Sequence, residues 1–221
     1  MSEHQQGQKT ETRQGKGGLK GMLKLGIILA LYSSAACVGL AFVYAGTEKV
    51  IAQRQKDDLN AALSELFYEA DEFRAITGIK SFDPAVAIEP GGSFSAMKNG
   101  EVIGAALRTS RASYNGAIKV LVGVSVDGKI CGVKILEHNE TPGLGANAAS
   151  ANYYVDRAKG LRFYDQFTGK SVNDPFTVKQ DVIIITAATI TSRAVAASVK
   201  AAGEAALSWF TQGPGFPGGS N

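Results

Sequence analysis

The chain has 221 residues, enough for one ordinary domain and an additional segment. Apolar residues make up 45% and charged residues 19%, which excludes a disordered or coiled-coil chain. Two cysteines and two histidines exclude a disulfide scaffold and a four-thiolate metal site and leave little for a histidine-based metal centre. The net charge of +3 sits in the N-terminal part. The first 46 residues carry five Lys/Arg and two Asp/Glu, and the other 175 carry 18 of each. The bulk of the chain therefore lacks the electrostatic footprint of a nucleic-acid binder, and no nucleic-acid partner is expected.

Residues 1–24 are polar and Gly-rich with little periodicity, and read as a disordered cytoplasmic leader. Leu25 to Gly46 is a run of 22 residues without a charge. As a helix it is about 33 Å long, enough for a hydrocarbon core of about 30 Å. The five cations Lys9, Arg13, Lys16, Lys20 and Lys24 precede it, so the expected topology is a single pass with the N-terminus in the cytoplasm. The remainder is then extracytoplasmic, which in a bacterium means periplasmic, on the far side of the inner membrane. A cleaved signal peptide competes, with Val43-Tyr44-Ala45 as its cleavage site. The apolar run is longer than the usual ~7–15 residues of such peptides, and both readings export the rest of the chain. Cys37 within the run and Cys131 in a predicted strand read as small packing residues.

Residues 47–77 form a helical connector, with Leu59, Leu63 and Leu66 at helical spacing. Pro84, Pro90, Gly91 and Gly92 break the pattern into loops. The period then shifts to that of strands, at Ser93–Lys98, Glu101–Thr109, Ile118–Val126 and Lys129–Leu136. Asn99-Gly100 and Asp127-Gly128 are two-residue hairpin signals, and together they predict an antiparallel meander with Ile118–Val126 central. A Gly/Pro-containing loop, His138-Asn139-Glu140-Thr141-Pro142-Gly143-Leu144-Gly145, precedes a helix expected around Ala149–Ala158. The run Val182–Ile185 reads as a short buried strand. From about Thr189, Val195, Val199, Ala202, Ala206 and Trp209 recur at helical spacing, and the tail Gly213–Asn221 is Gly/Pro-rich and flexible. The fold class is α+β: one transmembrane helix, then a small antiparallel sheet with packed helices over residues 78–212.

Two segments carry chemistry. Thr186-Ala187-Ala188-Thr189-Ile190-Thr191-Ser192 places four hydroxyls at a helix start. Helix capping is their commonest use, and a phosphate site on the free N–H groups and positive dipole end is the alternative. In the His138–Gly145 loop, Glu140 and Thr141 offer polar groups and Leu144 an apolar lid. That mix suits the edge and face of a flat polar-aromatic ligand, and equally a plain surface turn.

The ETPGLG loop, followed some 45 residues later by a hydroxyl–small–Ala–Thr–x–Thr–Ser run opening a helix, resembles the FMN-binding domain of the G subunit of Rnf ion-translocating electron-transport complexes. It is similar too to the C subunit of the sodium-pumping NADH:quinone reductase. The likeness extends to the order of parts, from basic leader and single span to the Tyr114-Asn115-Gly116 turn and the final helix, over about residues 20–210. The resemblance implies FMN bound covalently, its phosphate esterified to Thr189 by a flavin transferase that uses FAD and a divalent metal. It implies contacts from Thr186, Thr191 and Ser192 to the phosphate or ribityl chain, and from Glu140, Thr141, Leu144 and Tyr114 to the isoalloxazine. Asn115 is a weaker candidate, His138 reads as structural, and Lys179 and Arg193 are cations that either pair with the phosphate or are simply solvated. The implied role is an electron carrier in a ferredoxin:NAD oxidoreductase coupled to ion transport, not catalytic alone, with the other membrane subunits as partners. Two positions depart from the family pattern and bear on recognition by the transferase. Ala187 replaces the core glycine, and Ile183 stands where an aspartate is usual, with Asp181 two residues too early. An anchored assembly domain without cofactor, or an FMN domain of another respiratory complex, are the alternatives.

Overall fold

A computed structural model describes residues 18–212; the leader as far as residue 17 and the tail Gly213–Asn221 lie outside the described residues. The first element is a helix, α1 (Gly18–Leu66), so residues 18–24 are helical rather than part of an irregular leader. The chain divides into two units, the first ending at Gln55 and the second beginning at Lys56. In the first unit, Leu29, Leu31, Tyr32, Leu40 and Phe42 are all exposed. The helix is long and apolar enough to cross a membrane, with a window of mean hydropathy 2.1 and none of that window buried against protein.

The second unit is built on a five-stranded antiparallel meander of β1 (Glu72–Ala75), β2 (Val86–Lys98), β3 (Glu101–Ser113), β4 (Gly116–Ser125) and β5 (Ile130–Glu137), in sequential order. The two hairpin signals hold their positions. Asn99 and Gly100 both take positive φ, 51° and 83°, as a tight turn matched to strand twist requires. β4 is interior, paired on both sides, and β3 is the middle strand.

Alternation along β4 explains the two-layered core. Ile118, Val120, Val122 and Val124 face one side, where they join Leu107 of β3 and the helix α2 (Thr189–Gln212). Val195, Val199, Ala202, Ala206 and Phe210 form the buried stripe of α2, each large side chain contributing roughly 1.5–3 kcal/mol by leaving water. Leu121 faces the other side and packs with Leu63 near the end of α1 and Phe67 just after it. There the Phe67 ring lies against the backbone of Gly104, where a Cβ would collide with it. No larger residue fits at that position.

The structure differs from the sequence expectations in four further places. Residues 72–75, within the expected helical connector, form β1, which completes the sheet edge by pairing with Phe94–Met97. Pro90, Gly91 and Gly92 lie inside β2 as a bulge between Ile88 and Ser93 rather than in a loop. The helix expected around Ala149–Ala158 is absent. A 3₁₀ turn covers Gly145–Ala148, and Tyr154–Asp156 (β6) pairs with Leu161–Arg162 (β7). Side chains there compete with helical bonding: Ser150 Oγ accepts the Asn152 N–H, and Asp156 Oδ1 accepts from Ala158 and Lys159. Val182–Ile185 is buried in part but is not a strand. Gln166 takes the place of a neighbouring strand, accepting the Ile183 N–H at 2.8 Å and donating to its carbonyl at 3.1 Å.

Candidate functional site

Three segments converge on one cavity of about 520 Å³, within the usual range of roughly 300–1,000 Å³ for ligand pockets. The first is the β3–β4 turn at Tyr114. The second is the His138–Gly145 loop, and the third is the turn leading into α2. Their walls include Tyr114, Glu140, Thr141, Leu144, Thr189 and Thr191, six of the eight residues the sequence assigned to a ligand.

The loop is held by its own backbone. The Thr141 carbonyl accepts from both Leu144 and Ala146, Gly143 takes φ 76°, and Asn147 Nδ2 donates to the Gly143 carbonyl at 2.9 Å. Asn115 ties the hairpin turn to this loop by donating Nδ2 to the Asn139 carbonyl at 2.6 Å. His138 Nδ1 accepts the Glu140 N–H at 3.3 Å, a backbone-supporting role. The result is a fixed frame from which Leu144 and Tyr114 project their apolar surfaces outward, 41% and 70% exposed.

Glu140 joins all three segments. Its side chain is buried, Oε2 accepts from Thr191 Oγ1 at 2.8 Å, and Oε1 takes a long 3.5 Å bond from the Asn115 N–H. Burial works to raise its pKa. That push is outweighed by hydroxyls of Ser113 and Thr191 and backbone N–H groups of Asn115 and Tyr114 facing it, so the carboxyl lies below its ordinary value. Of these, the Ser113 hydroxyl faces the carboxylate without reaching hydrogen-bond geometry. Gly145 makes the arrangement possible: a Cβ there would strike Glu140 Oε2 and lie 2.7 Å from Thr191 Oγ1.

The start of α2 divides its hydroxyls between structure and cavity. Ser192 is fully buried. Its Oγ donates to the Ala188 carbonyl at 2.9 Å and accepts the Ile185 N–H at 3.0 Å, so it serves the turn. Thr186 is exposed, its N–H donating to the Tyr153 hydroxyl at 3.3 Å. Neither Thr186 nor Ser192 lines the cavity. Thr189 does, half-buried, and its hydroxyl has no hydrogen-bond partner among the described residues. The first-turn N–H groups of α2 lack intrahelical acceptors, as at any helix start, and there is no acidic residue in that turn. Ala187, which also lines the cavity, is held at φ 60°, a left-handed conformation costing a non-glycine residue about 1–2 kcal/mol. The sequence reading missed Ile190, which lines the cavity while 52% exposed. Its signal was an apolar residue off the Val195–Val199 stripe.

Asp181 is committed elsewhere. Its carboxylate accepts from the backbone of Phe176 and Thr177 and from Lys170. Lys179 and Arg193 do not line this cavity. Arg193 lines a second one of about 410 Å³ with Asp83, Arg111, Phe176, Lys200 and Glu204.

A turn with an unspent hydroxyl at a helix start, facing a loop with apolar and polar walls, suits a phosphate-bearing flat ligand. Residues 113–204 match the family model of the FMN-binding domain, and residues 16–66 match that of the RnfG N-terminal region. The class is therefore an FMN-binding domain behind an apolar N-terminal helix. The G subunit of the Na(+)-translocating ferredoxin:NAD(+) oxidoreductase complex of Acetobacterium woodii is 32% identical over 81% of this chain and 89% of its own length. Its counterpart in the proton-translocating ferredoxin:NAD(+) oxidoreductase complex of Clostridium ljungdahlii is 35% identical over 79% and 85%. The chain belongs to the family of G subunits of Rnf-type ion-translocating ferredoxin:NAD(+) oxidoreductase complexes. Among solved structures, Shewanella oneidensis NqrC aligns with a TM-score of 0.36 at 18% identity, over 59% of this chain and 65% of that one.

Proposed function

We propose that the chain is the membrane-anchored flavoprotein relay of such a complex, carrying FMN covalently on Thr189. The observation that carries this is the Thr189 hydroxyl, without a hydrogen-bond partner among the described residues, in the wall of a cavity at the start of α2. The residues fit the group. The helix start supplies N–H donors and a positive dipole end for the phosphate. Leu144, Tyr114 and Ile190 supply apolar surface for a ring system, and Glu140 and Thr141 supply polar edges. In attachment, Thr189 Oγ forms the bond to the FMN phosphorus as the P–O–P bond of FAD breaks. AMP leaves and the hydroxyl proton passes to solvent or to the flavin transferase. Bound FMN supplies the one- and two-electron redox chemistry. The protein's part is to fix its position, cover one face and set the electrostatics around it.

The apolar run Leu25–Gly46 anchors the chain in the cell membrane, with the basic leader in the cytoplasm and the FMN domain outside. A covalent bond then keeps the cofactor from being lost on the exported side. The other membrane subunits of the complex are its working partners, passing electrons to and from the flavin. The test is to produce the full chain together with a flavin transferase, denature it and read in-gel flavin fluorescence. The wild-type band is fluorescent and the Thr189→Ala band is dark. A Thr189→Ala band that keeps its fluorescence overturns the assignment.

A further inference from the structure

The cavity holds one ionisable side chain among its lining residues that is charged at neutral pH, and it is placed with care. Glu140 is 7% exposed and has no ion-pair partner among the described residues. Neutral groups satisfy it instead: the Thr191 hydroxyl at 2.8 Å and, at longer range, the Asn115 N–H. The remaining walls, Tyr114, Thr141, Leu144, Ala187, Thr189 and Ile190 among them, carry no compensating cation. Lysines and arginines of the second unit lie elsewhere, Arg111, Arg193 and Lys200 on the second cavity. A buried carboxylate normally survives by pairing with a cation. Here the fold keeps the charge uncompensated and still ionised, because several neutral donors converge on it and burial alone does not win.

We infer that Glu140 is an electrostatic tuning residue that holds the reduction potential of the flavin in this cavity below the value an uncharged wall would give. The inference rests on the proposed function above. Its physical basis is simple. Reduction adds electron density to a ligand that sits against the carboxylate in a partly desolvated site. There the interaction of two like charges is several times stronger than in water. A fixed negative charge therefore opposes each added electron, and the donors to Glu140 come from elements that cannot retreat: the β3–β4 turn and the first turn of α2. Glu140 does not take part in electron transfer itself. It acts through its charge, and it also pins the loop to the helix.

The experiment is a spectroelectrochemical titration of the full flavin-loaded chain, comparing wild type with Glu140→Gln and Glu140→Asp. Gln keeps the shape beside Gly145, and its amide serves both the Asn115 N–H and the Thr191 hydroxyl, so the fold is retained. The expected result is a flavin midpoint potential shifted to more positive values in Glu140→Gln, with Glu140→Asp closer to wild type than to Gln. A merely structural role predicts the opposite ordering, with Asp, one carbon shorter, disturbed at least as much as Gln. A potential that is unchanged or more negative in Glu140→Gln overturns the inference while the flavin assignment stands. A colourless wild-type chain overturns both.

Discussion

Two cavities border α2, and their walls are built on opposite principles. The second is a groove whose charges largely consume one another. Arg111 pairs with Asp83 at 3.1 Å, and Lys200 pairs with Glu204 at 3.4 Å while donating to the carbonyls of Val172 and Asp174. Pairs this exposed are worth little and leave little unspent chemistry. The first cavity, bounded by Glu140 and Thr189, has one carboxylate satisfied by neutral donors, a hydroxyl without a partner among the described residues and the free N–H groups of a helix start. The groove is rich in charge and, Arg193 apart, poor in unspent groups; the first cavity is the reverse. Cavity size and charge count alone do not locate a site. What matters is which polar groups the fold has already used.

The sharpest way to break this contrast is to crowd the first cavity. Gly145→Ala drives a methyl group into Glu140 Oε2 and to within 2.7 Å of Thr191 Oγ1, groups whose positions are fixed by their mutual bond. The expected loss is about 1–3 kcal/mol of stability by urea denaturation, together with a smaller fraction of chain flavinylated by the transferase. Arg193→Ala, in the wall of the second cavity, is expected to leave both unchanged. A Gly145→Ala protein as stable as wild type means the Glu140–Thr191 contact is not a fixed part of the wall.

Much of this frame is readable in the sequence, and the reasons are local. Asn99-Gly100 dictates a turn because both residues accept positive φ, and Thr189 marks a helix start because the apolar stripe of α2 begins just after it. The parts that escaped are those decided by distant partners. β1 exists because β2 offers an edge, and Ile183 stays irregular because Gln166, 17 residues away, occupies its backbone groups. The same divide runs through the site. The sequence singled out Glu140 and Thr191 as candidate contacts on one cavity, but their bond across 51 residues was not legible. Nor did four hydroxyls within seven residues show that Ser192 turns inward while Thr189 faces the cavity.

Acid sharpens the comparison next. Glu140 has its pKa lowered in the folded state, so the stability it contributes is fully present above the ordinary carboxylate value, about 4.3. It is lost as pH falls through the lower, folded value. Thermal melts of wild type and Glu140→Gln across pH 3 to 7 are expected to show the difference between them moving against the wild type only at the acid end. A constant difference across that range means the carboxylate is not held ionised by its neighbours.

The smallest effect comes from Ala187, and it has a sign that the contrast alone does not supply. The residue sits at φ 60° in the turn that presents Thr189, where a Cβ is unfavourable by about 1–2 kcal/mol. Glycine removes that strain but gives back part of it as extra freedom of the unfolded chain. The expected net gain for Ala187→Gly is therefore ~0.5–1 kcal/mol by chemical denaturation. The same change supplies the glycine that the resemblance implies at this position, so on the proposed function the fraction of chain flavinylated under limiting transferase is expected to rise. The two readouts separate cause from coincidence. A gain in stability without faster attachment makes the strained turn a property of this fold only. Faster attachment without a gain in stability means the transferase reads the absence of a side chain at position 187, not the shape of the turn. Lost stability on Ala187→Gly would show that the left-handed turn carries no strain, and that Thr189 is presented by the packing of Ala188 and Ser192 alone.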